Sequence, residues 1–322
     1  MARPNLFIIG APKSGTTSLY EYLAGHPDVY MSPYKEPMFF CPDVHGFHGQ
    51  ARLAHDSDEA AYLALFADAH DEKWLGEATT RYLASRRAAR LVHEFNPDAV
   101  AIAMLRNPVD LVHALHNERI SQGNEPITSF ETAIAADERR SRGVDLPGEM
   151  NALGSVYRES ARFAEPLQRW FDELGRDHVH VIVFDDFARD PGTELRRTLE
   201  FLGVDRDYQP ATFAARNTSH RQRRTVRRVL DSRVGTFLSD DVARAVLGAN
   251  TRARLAYRFR KSRLNRRSVT RQPMPIALRH QLEEEFRPDV AAVGEMLGRD
   301  LEGLWLTKPP ATPARTAEPD GS

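Results

Sequence analysis

Residues 6–17 read Leu6-Phe7-Ile8-Ile9-Gly10-Ala11-Pro12-Lys13-Ser14-Gly15-Thr16-Thr17. Four apolar residues run into a glycine, the pattern of a short buried strand. A helix is expected from about Gly15 to Ala24, because Leu19, Tyr22 and Leu23 fall on one face and Gly25 with Pro27 supplies a stop. A glycine loop in that position lets loop N–H groups and the helix N-terminus converge on an anion, with the helix dipole adding to the attraction. The two glycines have the spacing of the nucleotide-triphosphate loop G-x4-G-K-[ST], but Thr16 stands where that loop has its lysine. The lysine lies three residues earlier, at Lys13. An ordinary βα turn also carries glycine; Lys-Ser-Gly-Thr-Thr directly after a strand is more specific.

Working outward, residues 28–56 have no clear period and read as a long loop, and Ser57–Ala69 reads as helical. Trp74–Ala78 and Ala99–Leu105 read as strands, each followed by a helix, the first to Phe95 and the second over about 109–121. Helical patterns follow at 129–142 and over a long stretch at 155–174, with a Pro/Gly loop between them. Val179–Phe184 is a further buried strand and Thr193–Leu202 a helix closed by Gly203. Strands alternating with helices predict an α/β fold, a P-loop-NTPase-like parallel sheet flanked by helices. The C-terminal third shows no strand pattern; its last helices are expected over 276–298, interrupted near Pro288. The expected organisation is one domain over 1–306, with an Arg-rich helical region inside it and a disordered tail over 307–322.

The chain has 322 residues, 44 Lys plus Arg against 45 Asp plus Glu, and 41% hydrophobic residues, which excludes a disordered chain, a collagen and a coiled-coil rod. No apolar run approaches the ~18 residues of a membrane span. The opening apolar stretch is too short for a secretory signal, and Cys41 is the one cysteine, so a soluble protein of a reducing, cytoplasmic compartment is expected. Charge is unevenly spread. Residues 216–271 hold 17 Lys/Arg and three acids, a net +14 that leaves −15 for the remainder. Such a stretch is either a solvated helical surface or a wall facing a polyanion.

GAPKSGTTSLYEYLAGHPDV at 10–29 resembles the 5′-phosphosulfate loop of sulfotransferases that use 3′-phosphoadenylyl sulfate (PAPS). Tyr34-Lys35-Glu36-Pro37-Met38-Phe39-Phe40 is similar to the K-E-P-x-F-F segment of the bacterial and glycosaminoglycan-type branch, and Gly76-Glu77-Ala78-Thr79 to its G-E-x-[ST] strand end. Leu105-Arg106-Asn107-Pro108-Val109-Asp110 resembles the 3′-phosphate segment. Phe184-Asp185-Asp186-Phe187 and Leu297-Gly298-Arg299-Asp300-Leu301 are also similar to that branch, so the resemblance runs from residue 6 to about 305.

The resemblance implies sulfuryl transfer from PAPS to a hydroxyl of a carbohydrate, lipid or small-molecule acceptor, with no metal. Lys13 is suited to the oxygen bridging sulfur and phosphorus, and Ser14, Gly15, Thr16 and Thr17 to the 5′-phosphate. Glu36 is assigned as general base, and Lys35, Phe39, Glu77 and His113 as substrate contacts. His113 and His116, three apart on one helix face, are rival bases. Arg106 ends a buried strand at the carboxyl edge, where open α/β sheets bind ligands, and is assigned to the 3′-phosphate. The family pattern has an Arg five and a Ser eight positions later; here Leu111 and Ala114 stand there. Replacement donors are sought in the basic stretch, with Arg224 chosen over Arg221 and Arg223. Tyr157 reads as opening a helix, beside the adenine or in the core. Thr79 reads as an acceptor contact or a helix cap, Asp185 and Asp186 as cap or surface groups, and Cys41 as structural. Two other classes stay open: a P-loop kinase or NTPase, and a non-catalytic protein binding a nucleotide or polyanion. No nucleic-acid signature is present, and the basic stretch is open to an anionic acceptor or a membrane surface.

Overall fold

The computed structural model describes residues 3–44, 58–148, 150–213, 220–222, 266–268 and 273–307. Five parallel strands form the central sheet: β1 (Leu6–Gly10), β2 (Val29–Met31), β3 (Trp74–Ala78), β4 (Val100–Leu105) and β5 (Val179–Val183). Their order is β2-β3-β1-β4-β5. Leu6 pairs with Gly76 on one side and Val100 on the other. The apolar run of β1 is explained by burial on both faces. Phe7 and Ile9 enter one core with Ala101, Ala103 and Leu105 of β4; Leu6 and Ile8 enter the other with Val100, Ile102 and Met104. This is the period of two that a strand imposes.

Helices cover both faces. In chain order they are α1 (Thr16–Leu23), α2 (Glu59–Leu63), α3 (Ala88–Phe95), α4 (Pro108–Gln122), α5 (Phe130–Ala135), α6 (Asp137–Ser141), α7 (Ala152–Ser155), α8 (Ala164–Leu174), α9 (Phe184–Arg189), α10 (Pro191–Leu202), α11 (Ile276–Leu297) and α12 (Glu302–Trp305). Leu19 and Leu23 of α1 and Leu195, Leu199 and Leu202 of α10 fill one core. Leu91, Leu115, Trp170 and Phe286 from α3, α4, α8 and α11 fill the other. The parallel α/β architecture expected from the alternation is the architecture observed.

Four local expectations are corrected. The long helix over 155–174 is broken: Val156 and Arg162 are extended. Two distant carboxylates hold the break, Asp137 accepting the N–H groups of Tyr157 and Arg158, and Asp289 those of Phe163 and Ala164. Tyr157 therefore does not open a helix. Conversely α11 passes through Pro288 without interruption, because Leu282, Phe286, Val290 and Val293 pack as one buried stripe on either side of it. The 28–56 loop contains β2, three residues at the sheet edge and too short to show a period. Two strands occur in the C-terminal third, β6 (His220–Gln222) and β7 (Arg266–Ser268), paired antiparallel; their polar sequences carry no apolar alternation. The rest of the 216–271 stretch and the tail beyond 307 lie outside the described residues.

Helix α4 starts at the edge where Arg106 ends β4, and its far end is pinned by a buried ion pair. Arg140 donates to both Glu125 oxygens at 2.8 and 2.9 Å. Burial pushes the Glu125 carboxyl up, but Arg140, the Ile127 N–H and the Tyr157 hydroxyl outweigh it and leave it below the usual carboxylate range. Its folded value being depressed, the stability it contributes is present above about pH 4.5 and is lost as pH falls through the lower folded value. Arg140→Ala strands that carboxylate and is expected to cost about 3–5 kcal/mol. Urea unfolding near pH 7 checks this; a loss under about 1 kcal/mol, the worth of an exposed pair, refutes the buried-pair account.

Candidate active site

The loop between β1 and α1 depends on its two glycines. Gly10 has φ +149°, and a Cβ there would lie 2.9 Å from the Leu83 Cβ and 3.0 Å from the Thr80 carbonyl. Gly15 has φ +88° and lies under the Phe187 ring, 3.2 Å from where a Cβ would be. Between them Lys13 takes a left-handed backbone, φ 65°, at the loop tip. Its ammonium pairs with Glu118 of α4 at 3.0 Å. Arg106 donates to the Lys13 carbonyl at 3.0 Å, and its guanidinium lies 4.8 Å over the Phe184 ring. Loop tip, β4 end and α9 start are thereby tied together. Ser14 and Thr16 are buried beside the tip, and no side chain caps α1.

The 35–40 segment crosses to this loop. Lys35 donates to the Thr16 hydroxyl and to Glu36, both at 3.2 Å. Glu36 also has a left-handed backbone, φ 66°. It accepts the Thr80 N–H at 2.8 Å and the Thr80 hydroxyl at 3.2 Å, while its own N–H reaches the Ala78 carbonyl at 2.9 Å. Arg81 is half-buried beside this carboxylate. Desolvation and Arg119 lower its value to about 10, while Glu36 and Glu118 pull it back up.

The other expected substrate contacts are placed differently. Phe39 is buried and stacks on Tyr62 at 4.2 Å, so it is core rather than an acceptor wall. Glu77 is fully buried, its oxygens taken by the hydroxyls of Tyr62, Thr79 and Tyr82. Burial pushes its carboxyl up to about 7 against those three bonds, with Glu36 adding to the rise. Thr79 spends its hydroxyl there and caps no helix. His113 is half-buried against the Phe130 ring at 5.0 Å. His116 is buried with a ring nitrogen on the Ile127 carbonyl, and desolvation lowers its value. Tyr157 is core: its hydroxyl donates to Glu125, and Arg119 lies 4.4 Å over its ring. Leu111 and Ala114 are buried on α4. Asp186 pairs with Arg299 and Arg189, and Asp185 accepts from the Trp305 indole, so both anchor the C-terminal segment. Arg224 and Arg223 lie outside the described residues.

The sequence profile of the sulfotransferase family matches residues 4–209. This chain belongs to the sulfotransferase family. It is 28% identical over 203 residues to human heparan sulfate glucosamine 3-O-sulfotransferase 6, covering 63% of this chain and 53% of that one. With mouse heparan sulfate glucosamine 3-O-sulfotransferase 3A1 it shares 27% over 204 residues, 63% and 46% of the two chains. The chain thus spans about half the length of these relatives. The crystal structure of a sulfotransferase from Alicyclobacillus acidocaldarius superposes with a TM-score of 0.68 at 30% identity, covering 94% of this chain and 99% of that one.

The sulfotransferase match contains the glycine loop, Lys35, Glu36 and Arg106, the residues drawn together here, and ends before the basic stretch. Sequence reasoning missed Thr80, Glu118 and Arg81. Thr80 and Arg81 directly follow the recognised Gly76–Thr79 segment, so their place at the same strand end was available. Glu118 follows Ala114 by one helical turn, on the helix that Arg106 and Asn107 lead into, and that spacing was the available signal.

Proposed function

We propose that this chain transfers a sulfuryl group from PAPS to a hydroxyl of a carbohydrate. The observation that carries the proposal is Lys35, which links Thr16 of the anion loop to the Glu36 carboxylate. One cation thus joins the loop suited to the donor's 5′-phosphate and the carboxylate suited to the acceptor's proton. In the proposed step the acceptor oxygen forms a bond to sulfur and the bond from sulfur to the bridging oxygen breaks. The electron pair leaves on the 5′-phosphate, where Lys13 neutralises it, and the acceptor proton passes to Glu36. Arg106, held at the Lys13 carbonyl, is the proposed 3′-phosphate contact. The carbohydrate acceptor is supported by the heparan sulfate enzymes among the relatives.

Calorimetric titration with adenosine 3′,5′-bisphosphate, against adenosine 5′-phosphate and ATP–Mg²⁺, tests the donor assignment without an acceptor. Metal-independent binding that requires the 3′-phosphate is expected. Arg106→Ala should weaken the bisphosphate about 10–100-fold, the worth of a charge-assisted bond, and the monophosphate far less. Equal losses for both refute the 3′-phosphate role. PAPS with heparan sulfate as acceptor then tests the transfer.

A further inference from the structure

The buried carboxylate of Glu77 lies beneath the proposed base, and its hydrogen bonds run toward it. Tyr82 donates to one Glu77 oxygen at 2.6 Å and Thr79 to the other at 2.7 Å. The same two hydroxyl oxygens each accept a backbone N–H from the opposite segment: Thr79 that of Met38 at 3.3 Å, Tyr82 that of Phe40 at 3.2 Å. Two parallel relays therefore run from loop N–H to hydroxyl to carboxylate. With the Glu36 N–H on the Ala78 carbonyl, residues 36, 38 and 40 are all fastened to the end of β3 and the turn after it. The fastening has a task, because Glu36 and Met38 both hold left-handed backbones, φ 66° and 57°, which non-glycine residues keep only when the surroundings enforce them.

We propose that Glu77 is a positioning residue for sulfuryl transfer: through Thr79 and Tyr82 it clamps residues 38–40 and so fixes where Glu36 presents its carboxylate. The proposal rests on the reading of Glu36 as base. An ionised carboxylate accepts only, so it draws both hydroxyl hydrogens toward itself and leaves both hydroxyl oxygens free for the loop. A protonated Glu77 or a glutamine places a donor inside the cluster, and one hydroxyl hydrogen loses its acceptor. The Glu77 carboxyl is met by the hydroxyls of Tyr62, Thr79 and Tyr82 and feels the charge of Glu36, beside which Lys35 and Arg81 lie. Burial holds its carboxyl at about 7. The folded value being raised above the usual 4.5, the clamp is lost as pH falls through about 7, and stability rises from there toward pH 4.5.

The test uses Thr79→Val and Tyr82→Phe, which remove one relay each, with Glu77→Gln as a third variant. Amide exchange at Met38 should rise at least tenfold in Thr79→Val, and at Phe40 in Tyr82→Phe, with β4 amides unchanged. Hydrolysis of PAPS with water as acceptor should fall at least tenfold in each variant, with binding of adenosine 3′,5′-bisphosphate within twofold of wild type. In a Glu36→Gln background the same substitutions should cause no further loss. Unchanged exchange at Met38 and Phe40, exchange raised equally across the sheet, or losses that add to that of Glu36→Gln each overturn the proposal. Wild-type hydrolysis by Glu36→Gln alone overturns the base assignment instead, and amide exchange still decides whether Glu77 clamps the loop.

Discussion

Lys13→Ala is expected to lower sulfuryl transfer about 10²–10³-fold, the loss that follows removal of one preorganised donor from developing charge. The leaving 5′-phosphate gains negative charge as the S–O bond breaks, so an ammonium at the bridging oxygen helps the transition state more than the bound donor. The fold should survive. Lys13 sits at a loop tip, and its ion pair among the described residues, to Glu118, is part-buried, with Lys13 14% and Glu118 31% exposed. An exposed pair contributes about 0–1 kcal/mol and breaking a fully buried one costs about 3–5, so the loss here lies between them and below what unfolds a domain. Alanine keeps the Cβ, so the left-handed backbone at φ 65° is no more strained than before. The substitution also releases Glu118 beside the loop proposed to hold the donor's phosphate. Lys13→Ala should therefore bind adenosine 3′,5′-bisphosphate more weakly, and adding Glu118→Ala should restore part of that binding but little of the turnover. PAPS turnover, calorimetry and thermal unfolding separate the three effects; turnover within about threefold of wild type removes Lys13 from the chemistry.

How far the site could be read from the chain follows from the range of the interactions involved. The anion loop is local: strand, glycine, lysine and helix lie within twelve residues, and each element follows from its own residues. The sheet was legible for the same reason, since β1 and β4 are apolar runs, β5 is one interrupted only by His180, and β3 carries the recognised Gly76–Thr79 segment at its end. The failures share the opposite character. The break at 156–163 depends on Asp137 and Asp289, and continuity at Pro288 on a stripe that packs against distant helices. No window of sequence contains both partners. Glu77 shows the limit most clearly. Its motif placed it correctly at a strand end, but only the packing of Tyr62 and Tyr82 reveals that the carboxylate turns inward.

Glu36→Gln is expected to lower transfer about 10²–10⁴-fold, the usual worth of a general base, and to leave nucleotide binding nearly unchanged. Glutamine matches the shape but accepts at one end only. One oxygen now serves Lys35 and the other the Thr80 N–H, so the amide must give up one of them, a loss of about 1–3 kcal/mol in the fixed loop. That structural loss alone accounts for no more than about 10²-fold, and any deficit beyond it belongs to proton transfer. Glu36→Asp separates the two further. Aspartate tolerates the left-handed backbone at this position and keeps a carboxylate, but withdraws it by one methylene. It should therefore retain the pH dependence of the wild type at a reduced rate, whereas glutamine should lose both. If the pH–rate profile of Glu36→Gln matches that of the wild type, the proton goes to another group. His113 is then the next candidate, because it is half-buried on α4, the helix that carries Glu118 to Lys13.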